Sequence, residues 1–140
     1  MQVGSRLEEI GRIIQFSVAP VFLITGIAGL LSVLSARLGR AIDRSRVLHN
    51  LAINDEIHDE LSVLSRRAKL IYRAITLGTI SALLICFVIV SLFISAYVTL
   101  PISAVIAVLF VAGVIALIVA LVLFLREVFL ATRILRIGPP

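Results

Sequence analysis

Residues 74–125 read AITLGTISALLICFVIVSLFISAYVTLPISAVIAVLFVAGVIALIVALVLFL, fifty-two positions without a single Asp, Glu, Lys, Arg or His. As one helix, at about 1.5 Å per residue, the stretch would be about 78 Å long, against a bilayer hydrocarbon core of about 30 Å. It must therefore cross a membrane twice. The turn falls at Thr99-Leu100-Pro101, because proline cannot continue a helix and biases the residue before it away from helical backbone. A second charge-free run, Ile13 to Ala36, supplies a third crossing. The expectation is an all-α membrane protein with three transmembrane helices.

Composition agrees: 61% of the 140 residues are apolar, above the roughly 45–50% of soluble domains, and the mean hydropathy is +1.18. One membrane domain is expected over residues 1–140, with spans at 20–36, 74–99 and 102–125. Residues 1–19 are read as a segment in the outer interface, because Pro20 suits the first turn of a helix better than its middle. A continuous helix kinked at Pro20 is the competing reading. The first twelve residues hold two acids and two arginines rather than a basic leader, so no cleavable signal is expected. Cys86 is the sole cysteine and can form no intramolecular disulfide.

The basic residues set the expected orientation. Arg37, Arg40, Arg44, Arg46, Arg66, Arg67, Lys69 and Arg73 lie between the first two spans, and Arg126, Arg133 and Arg136 follow the third. Only Arg6 and Arg12 precede the first span, beside Glu8 and Glu9. The amino terminus is thus expected outside, with residues 37–73 and the tail 126–140 in the cytoplasm. The formal net charge of +5 then needs no nucleic acid to explain it. Arg37, Arg40, Arg44, Lys69 and Arg73 are instead candidate contacts for anionic lipid headgroups.

Between the first two spans, small and apolar residues recur every three or four positions. One series is Leu34, Leu38, Ala41, Ser45, Leu48 and Ala52; the other is Ile57, Leu61, Leu64, Ala68, Ile71 and Ile75. Folded back around Asn54 and Asp55, the two series pair in one register from Ala52–Ile57 to Leu34–Ile75. That predicts a cytoplasmic antiparallel helical hairpin with a coiled-coil-like seam, continuous with the first two spans. Across it the register sets Asp43 opposite Arg66 and His49 opposite Glu60. Asn54 is a candidate N-cap, and Asp55 and Glu56 complement the dipole of the returning helix.

Within the spans, Thr25, Gly26, Gly29 and Ser32 form one small-residue stripe; Ala112, Gly113, Ala116 and Ala120 form another. Helices in lipid associate by close approach over such residues. Catalytic signals are lacking. No His, Asp, Glu, Lys or Arg lies inside the charge-free runs, the hydroxyls there have no base beside them, and no P-loop, GxGxxG or CxxC occurs. His49, Asp55, His58 and Asp59 share the hairpin tip without the fixed spacing of a metal site. No enzyme, cofactor or metal is expected.

The run Ala19 to Ile27, APVFLITGI, and the run Arg37 to Arg46, RLGRAIDRSR, resemble the bacterial membrane family known as domain of unknown function 2721 (DUF2721). Arg66 to Ala74, RRAKLIYRA, is similar to that family's approach to its second span. The resemblance implies a three-helix protein of the bacterial inner membrane and carries over no catalytic residue. Three readings of function remain open. One is a non-catalytic accessory, scaffold or homo-oligomeric protein using the hairpin and small-residue faces for contacts. Another is an oligomeric pore with a hydroxyl-lined second span and a basic mouth. The third, an enzyme acting at the hairpin or on lipid, lacks a nucleophile.

Overall fold

The computed structural model describes residues 2–51 and 55–137 of the chain. They form three helices and, among the described residues, no strand: α1 (Gln2–His49), α2 (Asp55–Ser95) and α3 (Ser103–Ile137). Each is long and apolar enough to cross a membrane. At about 1.5 Å per residue they run from about 50 to 70 Å, so each projects well past a hydrocarbon core of about 30 Å. The protein is a multi-pass integral membrane protein.

The turns sit where local chemistry breaks the helix. After Ser95 the amides of Tyr97 and Val98 both close on the Ile94 carbonyl, and α3 restarts beyond Pro101 with the Ile106 amide donating to the Ile102 carbonyl. At the other end, the Asn50 amide closes α1 on the carbonyls of Arg46 and Val47. Asp55 and Glu56 open α2, where their charge meets the positive helix end. The expected Asn54 cap and the Ala52–Ile57 pair lie outside the described residues. α1 passes through Pro20 without interruption, as in the continuous-helix reading, and both Pro20 and Ser17 are buried. A spanning helix tolerates the lost amide because neighbouring groups can re-satisfy its backbone.

Packing centres on α2, which lies along both neighbours, while α1 and α3 approach each other at few places. Toward the α1–α2 turn, Ala41, Leu48 and Leu64 are buried together, with Ile57 and Leu61 packed against them. Further along, Leu34, Ile71 and Ala74 form a second cluster that also receives Leu123 and Phe124 of α3. Here all three helices converge. Deeper still, a Cβ placed on Gly78 would come within 2.9 Å of Leu31 Cδ2, so α1 and α2 touch closely at that glycine.

The α2–α3 contact is fixed in the same way. A Cβ on Gly113 would lie 3.0 Å from Ile85 Cδ1 and 3.4 Å from Leu84 Cβ. Buried Ser81 donates its hydroxyl to the Gly113 carbonyl at 2.7 Å, a bond that only the absent Cβ lets the helices make. Ala120 is buried on the same helix, so the small residues of α3 serve packing within the chain. Outside these seams the helices are bare: 22%, 22% and 11% of the most apolar window of α1, α2 and α3 is buried, leaving the remainder for lipid or other protein.

Replacing Gly113 with Val should therefore wedge α3 off α2, costing about 1–3 kcal/mol as other overpacked sites do. The measurement is the SDS-unfolding midpoint in mixed micelles. A variant as resistant as wild type would show that the close approach at Gly113 is not needed.

Candidate functional site

Two residues beyond the charge-free run of α3 stands Glu127, the sole acid after Glu60. Its side chain has no solvent exposure. Arg37 of α1 donates from Nε to Oε2 at 2.8 Å, and Arg67 of α2 donates to Oε1 from Nε at 3.1 Å and from Nη2 at 3.0 Å. The Arg37 guanidinium also lies 5.6 Å from the centroid of the Phe124 ring, on the turn before Glu127. A buried carboxylate without partners would be prohibitively expensive; with both oxygens held by guanidinium groups it becomes a three-helix clasp. The arginines keep 28% and 20% exposure, so the surplus positive charge can reach water or headgroups.

Beside the clasp, α2 and α3 enclose a groove of about 1100 Å³. Arg66, Lys69 and Arg73 line it from α2, and Arg126 and Arg133 from α3. Its apolar wall is Leu70, Phe129 and Leu130. Thr132 reaches it too, with its hydroxyl directed to the carbonyls of Val128 and Phe129. No acid lines this space among the described residues, and none of the five cations forms an ion pair there.

Neither of the two ion pairs expected across the α1–α2 seam forms among the described residues, and a single other pair takes their place. Glu60 accepts from Arg44 at 3.1 Å rather than from His49, and Asp43 and Arg66 form no ion pair among the described residues. The reason is geometric. Arg44 carries a longer arm than His49 and reaches Glu60, while Arg66 lines the groove shared with α3. The Arg44–Glu60 pair is well exposed and contributes about 0–1 kcal/mol. Of the five candidate lipid contacts, Arg37 and Arg44 are thus engaged by acids, Arg40 is exposed, and Lys69 and Arg73 line the groove.

The two small-residue stripes part company. Ala112 and Ala116 are half-buried and Gly113 and Ala120 buried, whereas Thr25, Gly26, Gly29 and Ser32 are all exposed. A Cβ on Gly26 or Gly29 would meet nothing within 4 Å. Among the described residues no three His, Cys, Asp or Glu side chains converge as metal ligands, so His49, Asp55, His58 and Asp59 are not gathered into a site. Thr76, Thr79 and Ser95 donate to carbonyls of their own helix.

The clasp thus joins all three helices at the charged edge of their apolar stretches. Residues 17–137 match the family described as "Protein of unknown function (DUF2721)". The chain belongs to this family. Neither the curated proteins nor the solved structures contain a match. In this DUF2721 protein the clasp leaves no charge inside a span, because Glu127 stands just outside one. A lone acid among Arg126, Arg133 and Arg136 was the available signal.

Changing Glu127 to Gln should leave Arg37 and Arg67 facing each other without their counter-charge. A loss of about 3 kcal/mol is expected, the lower end for a broken buried pair because both arginines keep some solvent. SDS unfolding measures it, and disulfide trapping between one cysteine on α1 and one on α3, placed at the cluster of Leu34 and Phe124 in a Cys86→Ala background, reports the α1–α3 contact. Unchanged unfolding together with unchanged trapping would remove the clasp from any structural role.

Proposed function

We propose that this DUF2721 protein is a non-catalytic scaffold or accessory protein of the bacterial inner membrane, assembling with further copies of itself or with another membrane protein through the outer face of α1. The observation that carries the reading is the open stripe Thr25, Gly26, Gly29 and Ser32, where nothing in the chain fills the space a side chain would occupy. Backbones approach closely over such faces in lipid, where the hydrophobic effect offers helices no drive to associate. The matching stripe on α3 already packs inside the chain, so the bare one on α1 is the face left for a partner.

Chemistry argues in the same direction. The one buried acid has both oxygens committed to guanidinium groups, leaving no free base or nucleophile beside it. The excess of basic residues between the first two charge-free spans and after the third supports placing the paired extension of α1 and α2 and the carboxyl end in the cytoplasm, with the amino terminus outside. On that placement the basic residues face lipid, and no nucleic-acid partner is proposed. A pore lined by the second span has weaker support, because Thr76 and Thr79 bond their own helix and Ser81 bonds α3.

Gly29→Ile tests the assembly. Native mass spectrometry of protein released from its own membrane in mild detergent should give an oligomer, or a stoichiometric second protein, for wild type and the single chain for the variant. The SDS-unfolding midpoint should stay within about 0.5 kcal/mol of wild type, since the site is exposed. A wild-type protein that is only ever a lone monomer, or a variant that assembles as well as wild type, overturns the reading.

A further inference from the structure

The groove between α2 and α3 has a construction that self-assembly through α1 does not explain. Arg66, Lys69, Leu70 and Arg73 follow the i, i+3, i+4, i+7 spacing of one helix face, and so do Arg126, Phe129, Leu130 and Arg133. Antiparallel packing sets these faces side by side along one groove, with Arg73 and Arg126 toward the end next to the charge-free stretch and Arg66 and Arg133 toward the other. Lys69 stands between, against the apolar wall of Leu70, Phe129 and Leu130. Five cations converge where no carboxylate balances them among the described residues, since the adjacent acid, Glu127, is held by Arg37 and Arg67.

The groove also has a definite depth. Arg73 and Arg126 immediately flank the charge-free stretch 74–125, so that end begins where hydrocarbon gives way to headgroups. From Arg73 to Arg66 the helix rises about 10 Å, which carries the groove through the interfacial layer and no farther. Its volume of about 1100 Å³ far exceeds that of a bare anion and suits a headgroup with its glycerol. Phe129 is 62% exposed at this level, an aromatic ring offered to the interface.

We propose that this groove binds an acidic phospholipid, its phosphate between the arginines of α2 and α3 and its glycerol region against Leu70 and Phe129. Guanidinium groups from two helices can hold phosphate oxygens in the bidentate manner that fixes orientation, which a scattered set of surface lysines cannot do. Such a lipid would also tie the cytoplasm-proximal ends of α2 and α3 together where the clasp joins them to α1. The site depends on membrane embedding alone and stands whether or not α1 mediates assembly.

The test uses the purified full-length protein in a non-ionic detergent. Native mass spectrometry follows titration with phosphatidylglycerol and with phosphatidylcholine of the same acyl chains. The acidic lipid should bind at least about tenfold more tightly. Two double variants, R126Q/R133Q and R66Q/R73Q, should each weaken its binding about tenfold without affecting phosphatidylcholine, while R40Q, an exposed cation outside the groove, should not. Because the groove arginines are exposed, both variants should keep the wild-type SDS midpoint, and either alone suffices if the other unfolds. Equal binding of both lipids, or acidic-lipid binding undiminished in a folded double variant, overturns the proposal. So does displacement of the lipid by an equal concentration of inorganic phosphate, which would make the groove a site for free anions.

Discussion

A carboxylate sealed from water must find its counter-charge inside the protein, and Glu127 finds it on two other helices at once. Its consequences extend along the whole of α2. The pairs Arg67–Glu127 and Ser81–Gly113 are separated by the same two heptads on α2 and on α3, so both belong to a single antiparallel register. One contact is ionic at the charged edge and the other a hydroxyl bond in the apolar interior, yet neither can shift without the other. Apolar packing alone could slide by a turn in lipid, where every apolar face is as comfortable as the next. Two polar contacts at a fixed spacing remove that freedom.

The same register builds the basic groove. At about 100° per residue, Arg66, Lys69, Leu70 and Arg73 lie to one side of Arg67, centred about a quarter turn away. Arg126, Phe129, Leu130 and Arg133 bear the same rotation to Glu127. On antiparallel helices that face each other through Arg67 and Glu127, equal rotations bring both stripes to the same side. The neighbouring wall of cations therefore follows from the clasp and needs no separate organising interaction. It also separates the cations by role: Arg67, which points inward, is neutralised by Glu127, and those of the groove point outward and are exposed.

Much of the fold was legible because bilayer thickness converts a count of uncharged residues directly into a number of crossings. The turn at Pro101 and the burial of Leu34, Ala41, Leu48, Leu64 and Ile71 were likewise readable, from helix-breaking chemistry and from three-four spacing. The charges were not. Opposition across a seam names which positions are near, but a long flexible arm such as Arg44 can reach past the nearer His49 to the same acid. The third helix was harder still, since its stripe of small residues says that it packs closely without saying against what. Only the structure places Glu127 against Arg37 and Arg67, residues ninety and sixty positions away. A buried ion pair between distant segments leaves no periodic trace.

The two faces offered to the surroundings point in different directions, and that separation has a cause in the sequence. On α1 the residues buried at heptad intervals are Ile27, Leu34, Ala41 and Leu48, which fix the side turned toward α2. Gly29 stands two positions beyond Ile27, about 200° around the helix, and Thr25 and Ser32 flank the same outer line. The small-residue face is therefore back to back with the α1–α2 seam. The cationic groove lies on the far side of α2, shared with α3. A second copy seated on α1 and a lipid held between α2 and α3 would not compete for space. They remain coupled through the clasp, because Arg37 belongs to the helix with the open face and Glu127 to the helix that walls the groove, and through the apolar cluster beside it, where Leu34 and Phe124 meet Ile71.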